Sequence, residues 1–324
     1  MQIGKTSEIT YKRSILKRLT SKTEGLLPGV NATSMELGDI MAVMSSNCIL
    51  HWFLGCEDFY VQKTMNDIYA QGGEPQYLQI EMNIPIDYEE KLLGKITQNF
   101  DEAAKNRGLE VCRFRAYASH IKTPIAHITV VGKKKEQMKR KDIAPEMDVV
   151  MAGSVGTGGT AVLSINYKQK LLQHFSENFV RDCVEMNNLL NIKSIVRNAI
   201  DYGAISMHNI SDGGVFGAVW ELVSAVNLGI TVDISKIPVW QEVIEVSDVL
   251  DINPYLLDGT GAVLIVCEDG KQMEEQLAAQ GILAAHIGTV TDSKDRIAVN
   301  NEETRYLEPP RGNELLNYLE KNFE

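Results

Sequence analysis

Met207-His208-Asn209-Ile210-Ser211-Asp212-Gly213-Gly214-Val215-Phe216-Gly217-Ala218-Val219-Trp220-Glu221-Leu222 decides how this chain is read. The run passes from an apolar strand end through a Gly-Gly turn into an amphipathic helix. Ser211 and Asp212 stand where a side-chain oxygen caps a helix by accepting from an orphan backbone N–H. Gly213 and Gly214 carry no β-carbon that would hold backbone amides away from a ligand. Amides exposed at a helix start, together with the positive end of the helix dipole, favour an anion such as phosphate. Taken alone, the segment reads either as a capped helix with a packing glycine pair or as a phosphate turn.

Two other turns stand at comparable places, each after an apolar run. They are Gly153-Ser154-Val155-Gly156-Thr157-Gly158-Gly159-Thr160 and Gly259-Thr260-Gly261. Irregular backbone at strand ends can present amides to a ligand. Neither a dinucleotide fingerprint behind a strand nor a phosphate-binding P-loop is present. Around these turns the apolar periodicity predicts a mixed α+β order. The first part reads as a helix over 11–19, strands over 40–44 and 48–54, a helix over 59–71 and a strand over 77–84. A long helix over 88–107 follows, then strands over 109–114 and 125–131. The second part reads as strands over 148–152, 204–208, 230–234, 262–266 and 286–290. Helices over 168–190, 194–202, 238–249 and 271–279 lie between them, besides the one behind Gly214.

With 324 residues the chain is longer than one core usually supports, which predicts two domains. The reading places them at 1–135 and 148–324, joined by a linker at 136–147; the basic run Lys133, Lys134, Lys135, Lys139, Arg140, Lys141 leads into and through it. A formal net charge of −11 argues against nucleic-acid binding, which needs a positive surface. No apolar run is long enough to span a bilayer and the first residues lack a signal-peptide core, so no membrane association is expected. Five cysteines without a CxxC pair form neither a disulfide framework nor a zinc pattern, which points to the reducing cytoplasm. Cys48 and Cys56, eight apart around His51, match no zinc spacing.

Taken in order, the motifs resemble the aminoimidazole-ribonucleotide (AIR) synthase-like superfamily. Asn66-Asp67-Ile68-Tyr69-Ala70-Gln71-Gly72-Gly73-Glu74-Pro75 is similar to its Asn-Asp-Ile helix. Residues 153–163 resemble the strand and turn that open its second domain, and residues 208–221 resemble its Asp-x-Ser-x-Gly-Gly helix motif. Asp251-Ile252-Asn253-Pro254 with residues 259–263, and Ile287-Gly288-Thr289-Val290, resemble the two closing motifs. Within the superfamily the nearest likeness is to the hydrogenase maturation factor (HypE-like) and AIR synthase-related branch. The resemblance implies a two-domain fold, with an N-terminal β-rich dimerisation and ATP domain and a C-terminal α/β domain. It further implies a homodimer through the N-terminal domains, maturation-factor partner proteins, and ATP bound with Mg2+ in a cleft.

Carried over residue by residue, the resemblance makes Asp67 the metal carboxylate. It makes Asn66, Gly156, Thr157, Gly158, Gly159, Thr160, Ser211, Asp212, Gly213 and Gly214 nucleotide contacts. His208 and Glu221 are the catalytic candidates; each also has an ordinary reading, as a structural histidine and a solvent-facing helical glutamate. The sequence departs from the family pattern at three acidic or metal-turn positions. Thr33 and Asn47 stand where aspartates are expected, and Cys112-Arg113-Phe114-Arg115 stands where a Gly-Gly turn is expected. Arg113 and Arg115 could hold phosphate oxygens as planar forks, but they cannot ligate Mg2+. No cysteine follows Cys267, so transfer of a carbamoyl group to a tail cysteine is not expected. The expectations are therefore ATP-dependent phosphoryl transfer or dehydration of a small substrate, a non-catalytic nucleotide- or anion-binding dimer with a degenerate metal site, or a thiamine-monophosphate-kinase-like enzyme.

Overall fold

A short helix α1 (Glu8–Thr10) opens a helical stretch that runs on, first wide and then tight, to Arg18. This is the helix expected over 11–19, begun earlier. Strands β1 (Ala32–Leu37) and β2 (Ile40–Ile49), helix α2 (Glu57–Tyr69) and strand β3 (Gly73–Pro85) follow. Helix α3 (Glu90–Asn106), β4 (Glu110–Ser119) and β5 (Ile125–Lys134) complete a five-stranded sheet ordered β1-β2-β5-β3-β4. Its one parallel pair, β3 with β4, is joined by α3, as a crossover requires. The computed structural model describes residues 4–21, 23–52, 55–135, 142–301, 303–309 and 312–322. Residues 136–141 of the expected linker, including Lys139, Arg140 and Lys141, lie outside them, as do Phe53 and Leu54.

The second part runs β6 (Asp148–Ala152), α4 (Thr157–Asn166), α5 (Lys168–Leu171), α6 (Glu177–Glu185), α7 (Lys193–Asp201), β7 (Ser206–Ile210), α8 (Gly214–Ser224) and β8 (Gly229–Asp233). It continues with α9 (Gln241–Leu250), β9 (Ala262–Cys267), α10 (Gly270–Ala279), β10 (Ala284–Thr291), β11 (Arg296–Asn300), β12 (Glu303–Tyr306) and α11 (Glu314–Lys321). Its sheet is ordered β12-β11-β8-β10-β6-β9-β7. The fold is mixed α+β, as the motif order implied.

Three expected elements are corrected. The strand expected at 40–44 and the first two residues of the one expected at 48–54 form one strand, β2, which ends at Ile49, because the polar pair Ser46-Asn47 fits strand alternation and does not break it. The helix over 168–190 is broken after Leu171, and Ser176 starts α6 by accepting from the Phe179 N–H. Residues 157–160 belong to the first turn of α4 and are not a loop.

Helix α2 lies between the two halves of the apolar interior. Val61, Met65 and Ile68 on α2 share one cluster with Val43, Ile80 and Ile128 of the first sheet and with Met207 and Ile265 of the second. Along β9, Val263, Ile265 and Cys267 enter that cluster while Ala262, Leu264 and Val266 enter another. That split is the period of two in a strand with both faces covered. A third cluster gathers α4, α6, α9 and α11 around Phe59 and Leu257. No described helix is long and apolar enough to cross a membrane.

Candidate functional site

Strand β7 delivers consecutive residues to opposite faces, and the site is built on that alternation. Ile210 belongs to the cluster under α8, and His208, two residues earlier, shares a 3.1 Å hydrogen bond through Nε2 with Glu221 Oε2 on that helix. Met207 belongs to the cluster shared with α2, and the Asn209 amide donates to Asp67 Oδ1 on α2 at 2.9 Å. The strand thus fixes a helical carboxylate on each side of itself.

Gly213 and Gly214 have φ of +79° and +62°, values that L side chains rarely adopt. A β-carbon on Gly214 would come within 2.3 Å of Tyr255 O, so the turn is also a close backbone approach. The expected side-chain cap does not form: Gly213 is the N-cap and no side chain accepts there. The Ser211 carbonyl accepts from Gly214 N and Gly259 N instead, and Phe216 N reaches Tyr255 O. Asp212 turns away from the helix and accepts from Lys63 Nζ at 2.6 Å and from the Asn313 side-chain amide.

Lys63 is the residue that sequence reasoning missed most completely. It sits on α2, one turn before Asp67, almost fully buried, and also reaches Asp258 Oδ2 at 2.7 Å. Asp258 is fully buried, and its Oδ1 accepts from Thr260 N. Burial works against the Lys63 ammonium, yet the two aspartates hold its pKa above the ordinary lysine value. A lysine one helical turn after Phe59, with an aspartate just before Gly259-Thr260-Gly261, was the available signal.

Lys5 completes the cluster. Its Nζ lies 2.6 Å from Glu221 Oε1 and 2.8 Å from Asn31 Oδ1. Glu8, three residues on, accepts from Trp220 Nε1 and Ser224 Oγ, so the N-terminal segment is fastened along α8. Between these groups lies a cavity of about 380 Å³, bordered by Lys5, Asn47, Lys63, Asp67, Asp212 and Glu221 and covered by Leu315 and Leu319 of α11. A second space of about 160 Å³ adjoins it beyond Lys5 and Glu221, toward Tyr11 and Gly29. Ser211 borders the larger space and Gly213 the smaller, whereas Gly214 is buried.

Glu221 faces this cleft, not solvent. Burial opposes its charged form, but Lys5 and His208 more than offset that and hold its carboxyl well below the usual range. A carboxyl whose folded pKa is depressed adds stability above its ordinary value of 4.5, and that stability is lost as pH falls through the folded pKa. The stability advantage of the native chain over Glu221→Gln is therefore expected to be full at neutral pH and to shrink on acidification below that value. Urea midpoints across the acid range check it; an advantage independent of pH would remove the ion pair from the account.

Asp67 has the opposite balance. Burial pushes its carboxyl up, against hydrogen bonds from Asn209 and Ser45 and the nearby charges of Lys5 and Lys63. Oδ1 accepts from Asn209, and Oδ2 from Ser45 Oγ at 2.8 Å and Asn47 Nδ2 at 3.4 Å. This set does not suit Mg2+, which demands hard oxygen ligands in near-octahedral array. Each Asp67 oxygen already faces a donor, and Asn209 Oδ1 is the one buried oxygen beside it with no partner among the described residues. No group of three His, Cys, Asp or Glu side chains forms a metal set among the described residues.

The remaining expected contacts are placed elsewhere. Asn66 is buried, bonded to Gln62 and to the Leu190 carbonyl, and ties α2 to the second part of the chain. Arg113 and Arg115 lie on β4, the edge of the first sheet farthest from β1, with Arg113 paired to Glu81 at 3.0 Å. Gly156 is the left-handed N-cap of α4, and Thr157 and Thr160 are buried. Gly158 and Gly159 allow close packing: β-carbons there would meet Thr260, Phe59 and Leu257 within 3 Å. Gly159 N donates to Asp258 O. This turn therefore supports Asp258 from behind and does not border the cavity. Cys48 and His127 face each other across β2 and β5 at 3.8 Å, while Cys56 is buried beside Asn166, so these cysteines do not converge.

Comparisons with known proteins bear on the fold that carries these residues. Residues 144–300 match the family model described as AIR synthase related protein, C-terminal domain. A putative hydrogenase expression/formation protein of Methanocaldococcus jannaschii is 25% identical over 223 residues, covering 67% of this chain and 64% of that protein, less than two thirds of its length. A thiamine-monophosphate kinase of Pyrococcus horikoshii is 24% identical over 227 residues, covering 67% of this chain and 70% of that one. The crystal structure of the hydrogenase maturation protein HypE in complex with ATP superposes with a TM-score of 0.70 over 97% of each chain at 16% identity, a likeness of fold. Residues 144–300 thus carry an AIR synthase related C-terminal domain, and the two-sheet fold along the chain is the one seen in the HypE structure.

Proposed function

We propose that this protein binds an ATP-type nucleotide, or a ligand with the same polyphosphate chemistry, in the cleft between α2, β7 and α8, as a HypE-like member of the AIR synthase-like superfamily. The observation that carries the reading is the pair of lysines, Lys5 and Lys63, held by carboxylates at the border of one cavity. An ammonium offers three donors, so each lysine can add a phosphate oxygen to the carboxylates it already meets. Apolar Ile49, Phe59 and Leu319 on the same wall suit the less polar end of such a ligand. Exposed Leu37, Ile40, Tyr77 and Tyr117 on the first sheet support pairing through the N-terminal domains in a homodimer. Five free cysteines support a reducing, cytoplasmic setting, and the fold shared with HypE as solved in its complex with HypF supports a maturation-factor partner.

Binding without turnover is the form of this function that the geometry favours, because the Asp67 carboxylate expected to hold Mg2+ is engaged by protein donors. The thiamine-monophosphate kinase likeness supports a second reading, phosphoryl transfer to a small acceptor with His208 and Glu221 at the reacting end. Calorimetric titration with ATP is expected to give micromolar, one-to-one binding per chain. Asn47→Trp, whose side chain lies on the Asp67 face of β2 and borders the cavity, should abolish that binding, with circular dichroism confirming the fold. Absence of ATP binding, or equal binding by a folded Asn47→Trp, overturns the proposal. ADP formation at a rate comparable to a working kinase favours the second reading.

A further inference from the structure

We infer that the Lys5 ammonium is a built-in cation that takes the place of a divalent metal ion in this cleft, so that the cleft works without one. The inference rests on the nucleotide reading for its use, but its geometry stands independently.

Lys5 Nζ sits among oxygens that would otherwise suit a hard cation: Glu221 Oε1 at 2.6 Å and Asn31 Oδ1 at 2.8 Å. Asp212 and Asp67 are near enough to act on its charge. The other acidic groups are similarly engaged. Asp212 and Asp258 hold Lys63, and both Asp67 oxygens face amide or hydroxyl donors. A divalent ion entering this cluster would have to displace a lysine that already neutralises the carboxylates.

The position of Lys5 is built, not incidental. Glu8 binds Trp220 and Ser224 on α8, which sets Lys5 against Glu221 on the same helix. Gly29, at φ +76°, packs so closely on that helix that a β-carbon would lie 2.4 Å from Glu221 O. The sequence changes point the same way. Thr33 and Asn47 stand where the resembling pattern has two acidic residues, so two fewer carboxylates need a counter-charge. An ammonium supplies positive charge to a phosphate but imposes no octahedral geometry on it.

The test uses Mn2+ alone as probe, followed by the free-ion signal in electron paramagnetic resonance, with the full chain. The native protein is expected to show no saturable Mn2+ binding at micromolar protein. Lys5→Met removes the ammonium and leaves its oxygens, and should bind Mn2+ at least about tenfold more tightly, equivalent to about 1.4 kcal/mol. Melting temperature and circular dichroism confirm that the variant is folded. A second variant, Lys5→Arg, keeps the charge and should resemble the native chain. Stoichiometric Mn2+ binding by the native chain, or no gain in a folded Lys5→Met, overturns the inference. ATP affinity is a separate reading: equal affinity in EDTA and in Mg2+ supports the inference, and strict Mg2+ dependence overturns it. If ATP does not bind at all while the Mn2+ results hold, the nucleotide reading fails and the inference stands.

Discussion

Replacing Lys63 with alanine is expected to lower folding stability by about 3–5 kcal/mol, the loss found when one partner of a buried ion pair is removed. The reason lies in Asp258, which is fully buried and has Lys63 as its charge partner. Asp212 is about one third exposed and can turn to solvent, but Asp258 cannot. The double variant Lys63→Met with Asp258→Leu, which removes both buried charges for apolar groups, should recover most of the loss. Urea unfolding of the single and double variants measures both quantities. A loss below about 1 kcal/mol, typical of exposed pairs, would show that water reaches this group.

Gly214→Ala is the second large effect. A non-glycine residue at φ +62° costs about 1–3 kcal/mol by itself. Here the added carbon also falls 2.3 Å from Tyr255 O and 2.7 Å from Leu257 O, both backbone atoms that cannot swing aside. A total loss of about 3–4 kcal/mol is expected, near the upper end for a single substitution. Gly203→Ala separates the two contributions, because Gly203 also has positive φ but no atom within 4 Å of where a β-carbon would stand. That variant should lose only the backbone share. Equal losses in the two variants would mean that the Tyr255–Leu257 segment yields, and the close approach would not be what requires glycine at 214.

The segment around Gly213 and Gly214 was legible because a strand ending, two glycines and an apolar helix are local signals. Its chemistry was not. Asp212 has the composition of a cap, yet its partners are Lys63 and Asn313, 149 and 101 residues away in sequence. No local pattern carries such a pairing. The same holds for Lys63 with Asp258, which a separation of 195 residues hides. The pairing of His208 with Glu221 is more accessible to sequence reading, because both lie inside one recognisable motif and meet across thirteen residues. Gly156 through Thr160 illustrate the opposite error: glycine density at a helix start reads as ligand access, but here it serves the packing of α4 against Leu257 and Thr260. Asn66 and Asp67 are adjacent in a helix, yet one helical step rotates them about 100° apart. Asp67 meets the cleft while Asn66 locks α2 to Leu190.

The cleft is closed by residues more than 300 positions apart in the sequence, Lys5 on one side and Asn313 with α11 on the other. This has a consequence for how the cleft assembles. Until α11 docks, the Asp212 carboxylate lacks its amide donor and the apolar wall lacks Leu315 and Leu319. The cleft therefore takes its final shape only when the last-docking element closes over it, and a local opening of α11 alone would unmake one wall while leaving both sheets intact.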